Sequence, residues 1–260
     1  MQVVIRESAE EVGRYAADVI RAGARDGSLR VLGVATGSSP LPVYRALADG
    51  ADGPDREALA GLTAFALDEY VGLAPDHPEG YRAVVDREVT RRLGLDPARV
   101  HVPDGRAEGI RDAGDRYEAL IREAGGIDLQ ILGIGATGHI GFNEPTSSFA
   151  SRTRIKTLTP ETRADNARFF DTPDEVPVHC ITQGLGTILD ARRVVLVAHG
   201  AAKAAAVAAA VEGPLTSMCP GSALQLHPDA VVVVDEAAAA QLALADYHRF
   251  VFDHRPEWQR

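Results

Sequence analysis

Short apolar runs rich in Val, Leu and Ile alternate along the chain with longer stretches that favour helices. Continuous apolar runs of this length are typical of strands buried on both faces of a sheet. They predict strands at residues 30–35, 62–67, 128–134, 193–198 and 230–234. The stretches between them predict helices at residues 9–26, 40–48, 81–93, 107–124, 203–211 and 236–247. This alternation predicts an α/β fold, a Rossmann-like and mostly parallel sheet with helices on both faces.

No internal repeat, low-complexity linker or change in composition divides the 260 residues. Since one large α/β domain can have this length, we expect a single domain over residues 1–260. Residues 143–177 are polar and carry only short helical signals. Long irregular segments inside a domain are commonly lids or binding loops, so we expect a lid at about residues 146–177.

The composition narrows the classes of function. Lys and Arg number 27 against 37 Asp and Glu, and the resulting formal charge of −10 opposes binding to nucleic acid. No apolar stretch approaches the ~20 residues that span a bilayer, and the first residues lack the pattern of a signal peptide. Cys180 and Cys219 lie far apart and form no CxxC pair, so neither a disulfide framework nor a structural zinc site is indicated. We expect a cytoplasmic protein without nucleic-acid or membrane partners.

The first predicted strand ends in the turn ATGSSP, which contains Thr36, Gly37, Ser38 and Ser39. Ligands of open parallel sheets collect beyond the carboxyl ends of strands. Free N–H groups, a helix dipole and two serine hydroxyls would hold a phosphate at this place. A tight turn with a serine capping the helix explains the same residues, so both interpretations remain open.

Two adjacent carboxylates, Asp68 and Glu69, follow the second predicted strand. Neighbouring side chains of an extended strand point to opposite sides, so only one of the two can easily face a ligand. Asp68 is a candidate general base, and a capping or surface carboxylate is the alternative.

The third predicted strand leads into GIGATGHIGFNEP, whose first three glycines match the dinucleotide pattern GxGxxG. That pattern needs a helix at the third glycine, whereas a fourth glycine and Pro145 follow closely and favour a loop. Glycines here more plausibly allow close approach of a small ligand. His139 and Glu144 are candidates for an acid/base pair, with a structural histidine as the alternative.

Five cations lie within 17 residues of this acidic chain: Arg152, Arg154, Lys156, Arg163 and Arg168. A sugar phosphate bound under the lid would explain them, and a solvated charged loop is the alternative. Arg168 is the candidate clamp, because a guanidinium can bind a phosphate through two donors. Lys203, at the start of a predicted helix, is a second candidate partner of the anion, with a solvated lysine as the alternative.

Seven segments, in order across nearly the whole chain, resemble one family: ATGSSPLPVY, LDEYVGL, HPEGYR, GHIGFNEP, SSFASRTRIKTLTPETRADNARFF, GLGTILDA and SALQLHP. They are similar to the glucosamine-6-phosphate deaminases. The related 6-phosphogluconolactonases share the sheet but typically lack the Phe-Asn-Glu-Pro and Ser-Arg-Thr-Arg segments. The resemblance implies ring opening, aldose-to-ketose isomerisation and loss of ammonia, which gives fructose 6-phosphate without a metal or organic cofactor.

The resemblance also implies a role for each candidate residue. Asp68 matches the base that moves a proton between C2 and C1 through an enolamine. His139 matches the residue that exchanges a proton with the ring oxygen, and Glu144 matches the carboxylate that pairs with it. The phosphate would lie on the turn after the first strand, with Arg168 and Lys203 as its cationic partners.

One position departs from the family pattern. The family normally reads Asp-Gly-His in this loop, whereas this chain has Thr137 two residues before His139. A threonine hydroxyl can orient an imidazole but carries no charge that would stabilise imidazolium. Ring opening is therefore expected to be impaired, except so far as Glu144 takes over the role.

The departure leaves several alternatives to a deaminase. They are a paralogue that acts on another amino-sugar phosphate, a non-catalytic sugar-phosphate sensor, a lactonase-like hydrolase and, from GxGxxG alone, a nicotinamide oxidoreductase. No helix-turn-helix precedes the first strand, which disfavours a sensor attached to a transcription regulator. Release of ammonia from glucosamine 6-phosphate separates the deaminase from the sensor and the oxidoreductase.

The resemblance extends to regulation. In the hexameric bacterial enzymes of this kind, N-acetylglucosamine 6-phosphate activates by binding between subunits, at residues that match Met1, Ser147, Arg154, Lys156 and Thr157. We therefore expect a homo-oligomer, and a hexamer if the assembly is shared. Coupling also requires two quaternary states with different affinities, which matching residues alone do not establish.

Overall fold

The computed structural model describes residues 1–49 and 53–256, in which ten strands form two sheets. The strands are β1 (Gln2–Arg6), β2 (Val31–Val34), β3 (Thr63–Ala66), β4 (Asp68–Tyr70), β5 (Val100–His101), β6 (Leu129–Leu132), β7 (Arg154–Thr157), β8 (His179–Thr182), β9 (Arg193–Ala198) and β10 (Ala230–Asp235). The larger sheet has the order β1-β10-β9-β6-β2-β3-β5, and its paired strands are parallel. The smaller sheet, β4-β8-β7, is antiparallel.

Helices connect most of these strands. They are α1 (Ala9–Asp26), α2 (Leu41–Asp49), α3 (Gly53–Ala60), α4 (Tyr81–Val85), α5 (Arg91–Leu93), α6 (Ala113–Glu123), α7 (Pro160–Asn166), α8 (Leu185–Leu189), α9 (Ala204–Val211), α10 (Glu236–Ala239) and α11 (Ala245–Asp253). The longest helix, α1, begins where the Ser8 side chain accepts a hydrogen bond from the N–H of Glu11. It ends at Gly27, whose left-handed φ of 77° is a common helix terminator.

The core lies on both faces of the larger sheet. Strands β2 and β6 are buried at every position, as is β9 after its first residue. Interior strands reach such burial only when both faces of the sheet are covered, as in other parallel α/β proteins. The predicted fold class, a mostly parallel sheet covered by helices, is therefore confirmed.

Several predicted boundaries are wrong. Strand β1 was not predicted, because it is a short edge strand with only two buried positions. The helix predicted at residues 107–124 begins only at Ala113, after Gly109 adopts a left-handed φ of 71°. The helix predicted at residues 236–247 is split into α10 and α11, because the carboxylate of Glu212 accepts hydrogen bonds from the N–H groups of Ala243 and Leu244. A carboxylate about 30 residues away in sequence leaves no local signal.

The stretch expected to be irregular, residues 143–177, contains both β7 and α7. On β7 half-buried and exposed positions alternate, so the strand has no continuous apolar run. Its partner β8 is the central strand and also pairs with β4, so Thr182, the last residue of β8, is paired with both Asp68 and Arg154. The smaller sheet thus ties the predicted lid region to the strand that carries Asp68.

The order of the larger sheet positions a ligand site. From β2 the chain proceeds to β3 and β5 on one side, whereas β6, β9 and β10 lie on the other. The carboxyl ends of β2 and β6 therefore border a topological switch point, where open parallel sheets form a crevice.

Candidate active site

One cavity lies beyond the carboxyl ends of β2, β3 and β6. Eight of the predicted site residues line it: Thr36, Gly37, Ser38, Ser39, Asp68, His139, Arg168 and Lys203. Thr137 and Glu144 do not line the cavity and instead contact His139 from behind. The catalytic and phosphate-binding residues named from the sequence are thus brought together.

The turn after β2 is built as a polar cradle. Gly37 has a φ of 88°, a conformation that side chains with a β-carbon rarely adopt. The Tyr44 hydroxyl fixes the start of the turn, because it accepts a hydrogen bond from the Ala35 N–H and donates one to the Ala35 carbonyl. The turn leads into α2, whose first N–H groups, of Leu41, Val43 and Tyr44, already donate to the Ser38 and Pro40 carbonyls. The donors offered to a ligand are therefore those of the turn itself, with the hydroxyls of Ser38 and Ser39. This end of the cavity is suited to an anion such as a phosphate.

Two cations face the same end of the cavity. Lys203 caps α9 and is half-buried, whereas Arg168 is exposed and stacks over the Phe169 ring at 4.7 Å. Burial lowers the pKa of Lys203, the carboxylate of Asp165 opposes that shift, and the charge of Arg168 adds to it. A bound phosphate would favour the charged form of Lys203 and complete this arrangement.

The expectation that one sugar phosphate explains all five cations is wrong. The Arg152 guanidinium is paired with Glu118 at 2.6 Å and with Asp190 at 2.5 Å. Arg154 and Arg163 donate to the Asn143 side chain and the Val176 carbonyl, respectively, and Lys156 does not line the cavity. Arg152 and Arg154 therefore bind groups outside residues 146–177, and Arg163 bonds within that segment. Arg168 alone of the five lines the cavity.

Asp68 is a buried carboxyl group at the floor of the cavity. It is 5% exposed, on the first residue of β4. Burial raises the pKa of Asp68 to about 8, the charge of Glu69 adds to the rise, and the Phe142 N–H opposes it. A carboxylate with such a pKa is a much stronger base than an exposed aspartate, which suits it to take a proton from carbon.

Glu69 points away from the cavity, as the alternation along a strand predicts. Its carboxylate accepts hydrogen bonds from the N–H groups of Tyr70, Tyr81 and Arg82, each at 2.8 Å. Burial nevertheless raises its pKa, against the effect of these three donors. Glu69 thus holds the start of α4 in place, and of the two adjacent carboxylates only Asp68 is available to a ligand.

His139 is held from one side. Its Nδ1 atom lies 2.8 Å from the Thr137 hydroxyl and 3.5 Å from Glu144 Oε2. Both groups contact the same nitrogen, which leaves Nε2 for a ligand in the cavity. The hydroxyl orients the ring at hydrogen-bond distance, and the carboxylate supplies the negative charge that Thr137 lacks.

Glu144 is itself fixed by the polar groups around it. The Thr162 hydroxyl, on α7, donates to Oε1 at 2.5 Å, and the Ser147 hydroxyl donates to the main-chain carbonyl of Glu144 at 2.7 Å. Burial alone would raise the pKa of Glu144, but the contacts with His139 and Thr162 outweigh it and lower this pKa to about 2. Glu144 is therefore ionised throughout the neutral range, and α7 is linked to the histidine through it.

The glycine-rich loop after β6 makes room for the ring of His139. A β-carbon on Gly135 would lie 2.2 Å from His139 Nε2, so only a glycine allows the ring to pack there. Gly138 has a φ of 77°, and no helix begins at it. The match to GxGxxG thus lacks the helix that a dinucleotide site requires, as the proline and glycine content predicted.

Sequence reasoning missed Tyr81, Thr162, Asp165 and Asn166, which also line the cavity. Tyr81 follows a loop of 10 residues after β4, and its ring stacks on Phe142 with centroids 5.8 Å apart. The other three lie on α7, where Asp165 and Asn166 follow Thr162 by three and four residues, which places both on the same face of the helix as Thr162. That spacing could have predicted a shared helix face, but the sequence predicts an irregular segment here.

The residues expected to bind an effector fall into two groups. Arg154, Lys156 and Thr157 lie on β7, and the Ser147 hydroxyl donates to the main-chain carbonyl of Glu144. Met1 precedes β1 at the far edge of the larger sheet, and in the described part of the chain no hydrogen bond or ion pair joins it to the other four. Met1 therefore adjoins the larger sheet, whereas Arg154, Lys156 and Thr157 belong to the smaller one.

Residues 1–49 and 53–256 contain neither a candidate membrane-spanning helix nor a candidate metal site. No helix there is both long and apolar enough to cross a membrane. No group of three or more His, Cys, Asp and Glu side chains in those residues is arranged to hold a metal ion.

Comparison with known proteins bears on this site. Residues 4–233 match the family described as glucosamine-6-phosphate isomerases/6-phosphogluconolactonase. The chain is 58% identical over 260 residues to a glucosamine-6-phosphate deaminase of Pseudarthrobacter chlorophenolicus, covering 100% of this chain and 99% of that protein. It is 56% identical over 261 residues to the Streptomyces coelicolor protein of the same name, with the same coverage.

Two solved structures extend the comparison. One is described as a monomeric glucosamine-6-phosphate deaminase, and it superposes with a TM-score of 0.88 at 38% identity, covering 93% of this chain and 100% of that one. The other is a 6-phosphogluconolactonase from Trypanosoma cruzi, with a TM-score of 0.74, 19% identity, and coverage of 93% and 97%. The second likeness concerns the fold alone.

Proposed function

Because the chain belongs to the family of glucosamine-6-phosphate isomerases and 6-phosphogluconolactonases, we propose that it converts glucosamine 6-phosphate into fructose 6-phosphate and ammonia. One observation carries the proposal: a single cavity joins an anion cradle to a buried carboxyl group and to a histidine backed by a carboxylate. The names of full-length relatives that are more than half identical support the same substrate.

In this mechanism the phosphate anchors the sugar at the turn after β2, between Arg168 and Lys203. His139 then transfers a proton at the ring oxygen through Nε2, which opens the pyranose. The paired Glu144 stabilises the imidazolium that the proton exchange requires, since opposite charges in contact favour each other's ionised forms. Thr137 keeps the ring in the orientation that this transfer needs.

Asp68 acts on the open chain. In its ionised form it takes the proton from C2, which gives an enolamine, and it returns a proton to C1. C2 is then an imine, and addition of water followed by loss of ammonia leaves the ketone of fructose 6-phosphate. The depth of the group explains why its carboxylate is basic enough for this task.

The proposal is tested by assaying ammonia and fructose 6-phosphate in one reaction with glucosamine 6-phosphate, beside hydrolysis of 6-phosphogluconolactone. We expect the two products in equal amounts and no lactone hydrolysis above the spontaneous rate. Lactone hydrolysis without ammonia would assign the chain to the other branch of the family. Binding of the sugar phosphate without turnover would favour a sensor.

Thr137→Asp is expected to raise kcat by about tenfold, equivalent to ~1.4 kcal/mol of transition-state stabilisation. The Thr137 oxygen is nearer to His139 Nδ1 than Glu144 is, so a carboxylate there adds charge at the shorter distance. Steady-state kinetics on glucosamine 6-phosphate measure the effect, with Thr137→Asn as the uncharged control. A kcat for the Asp variant at or below that of the unaltered protein would show that Glu144 suffices.

Arg168→Ala is expected to raise KM for the sugar phosphate by about tenfold or more while changing the melting temperature little. Arg168 is exposed and lines the cavity, and in the described residues it has no ion pair, so its removal leaves no buried group unpaired. Arg163→Ala is the contrasting variant, because that guanidinium binds the Val176 carbonyl and should affect stability more. Equal KM values for the unaltered protein and Arg168→Ala would contradict the assignment.

We also propose a homo-oligomer, on the sequence resemblance and on the separation of Met1 from the other effector residues within one chain. Two buried, unpaired cysteines are in keeping with a reducing cytoplasm. The mass in solution, measured by light scattering, tests the assembly. A monomer, with hyperbolic kinetics that N-acetylglucosamine 6-phosphate does not change, would contradict both the assembly and the effector site.

A further inference from the structure

The inner face of α7 presents a carboxylate to the cavity. Thr162, Asp165 and Asn166 line the cavity from this helix. Thr162 is fixed by its hydrogen bond to Glu144, and Asn166 donates to the Tyr70 hydroxyl at 2.9 Å. Asp165 lies between these two anchored residues, so its backbone position is set by both. Its side chain is exposed.

This carboxylate is out of place beside an anion cradle. Asp68 and Asp165 are the two carboxyl groups among the described residues that line the cavity, and burial keeps Asp68 largely protonated at neutral pH. Neither Lys203 nor Arg168 forms an ion pair of 4.0 Å or less in the described part of the chain. Asp165 nevertheless acts on Lys203, opposing the effects of burial and of Arg168 on that ammonium group.

We infer that Asp165 limits the affinity of the site for phosphate groups, because it competes with the phosphate of a ligand for Lys203 and Arg168. Among the described residues that line the cavity, Asp165 is the one carboxyl group besides Asp68, so it is the counter-charge available to these two cations while no anion is bound. A phosphate monoester brings ~1.5 to 2 negative charges to the same place, where the carboxylate repels it. The inference rests on the proposed sugar-phosphate function and concerns how tightly that site holds its ligands.

Such a residue limits affinity for the phosphorylated product and for free phosphate. Tight binding common to substrate and product lowers KM without accelerating the chemical step, and release of product often limits turnover. An exposed carboxylate that lines the cavity weakens both complexes while leaving the reacting carbons untouched. Inhibition by cellular inorganic phosphate is weakened in the same way.

The test compares Asp165→Asn with Asp174→Asn. Asp174 is exposed on the same segment, does not line the cavity, and its change alters the net charge equally. Titration calorimetry with fructose 6-phosphate and with inorganic phosphate should give Kd values about threefold to tenfold lower for Asp165→Asn, and unchanged values for Asp174→Asn. The gain should shrink between low and high salt, because screening weakens an electrostatic repulsion near the surface.

Other results would overturn the inference. Equal Kd values for the two variants and the unaltered protein would show that Asp165 does not oppose the phosphate. Weaker binding of fructose 6-phosphate by Asp165→Asn would show that the carboxylate contributes to ligand binding through a sugar hydroxyl. If the unaltered protein binds no sugar phosphate, the proposed function fails as well, so the two failures are distinguishable. Melting temperatures of both variants verify that each is folded.

Discussion

Asp68→Asn is expected to lower kcat for the release of ammonia from glucosamine 6-phosphate by about 10³-fold, within the range by which general acid–base groups accelerate reactions. The amide keeps the size of the side chain but cannot take a proton from C2. Because the phosphate turn is formed by other residues, the Kd for fructose 6-phosphate should change little. Exchange of the C2 proton with solvent, followed by NMR, measures the step that Asp68 is assigned. Exchange near the rate of the unaltered protein would remove Asp68 from the mechanism.

The pH dependence gives an independent measure of the same group. The pKa of Asp68 is raised to about 8, and a base must be ionised to act. The kcat/KM of the unaltered protein should therefore rise with pH up to about 8 and then level. A rising limb centred near 4 would show that burial does not act on this carboxyl group as the structure indicates.

Stability supplies the control for this variant. A carboxyl group whose pKa is raised in the folded state favours folding most below its unfolded pKa, near 4, and this contribution is lost as the pH rises toward about 8. At pH 7 the carboxyl group of Asp68 is ionised in the unfolded chain, and burying it in the folded protein costs free energy. Asp68→Asn removes this cost, so at pH 7 the variant should melt at or above the temperature of the unaltered protein. A large fall in melting temperature would mean that lost activity reports damage to the fold.

Glu144→Gln is expected to lower kcat by about 10²-fold, in the lower part of the range for general acid–base catalysis. Glutamine preserves the shape and an acceptor for Thr162, but it removes the charge that lies 3.5 Å from His139 Nδ1. Ring opening should suffer, whereas binding of an open-chain analogue, 2-amino-2-deoxyglucitol 6-phosphate, should not. Steady-state kinetics and calorimetry with this analogue measure the two effects. A kcat within twofold of the unaltered protein would show that Thr137 alone prepares the histidine.

The melting temperature of Glu144→Gln carries its own signature. The pKa of Glu144 is lowered to about 2, so its charge stabilises the folded protein above the unfolded pKa near 4.5 and loses this effect as the pH falls toward 2. The difference in melting temperature between the unaltered protein and the variant should therefore narrow from pH 6 to pH 3. A constant difference would indicate a packing defect rather than the loss of an ionised group.

The larger sheet could be predicted from the sequence because most of its strands are continuous apolar runs. Strands β2, β9 and β10 were predicted within two residues of their observed ends, since burial on both faces leaves a short apolar run rich in β-branched residues. Strand β7 lacks such a run because half-buried and exposed positions alternate along it, and its pairing with β8 depends on residues some 25 positions away. Short, half-exposed strands of this kind need tertiary contacts to be recognised.

The candidate site, too, could be predicted only in part. The residues that follow strands, such as Asp68 and His139, could be found because parallel strands end at one edge. The partners of the arginines between residues 152 and 163 could not be found from the sequence, since Arg152 pairs with a carboxylate on α6, 34 residues earlier in the chain. Charge density within the segment therefore pointed to a ligand where the structure has internal ion pairs. Asp165 was not predicted as a site residue, because α7 is a short helix inside a segment that the sequence predicts to be irregular.

The central claim is that one cavity both releases ammonia and moves the proton of C2. It is tested most directly with glucosamine 6-phosphate carrying deuterium at C2, incubated with the unaltered protein and followed by NMR together with an ammonia assay. The account predicts that deuterium leaves C2 in step with ammonia release and that the product is fructose 6-phosphate. Ammonia released while deuterium remains at C2, or no ammonia under conditions in which the sugar phosphate binds, would contradict it.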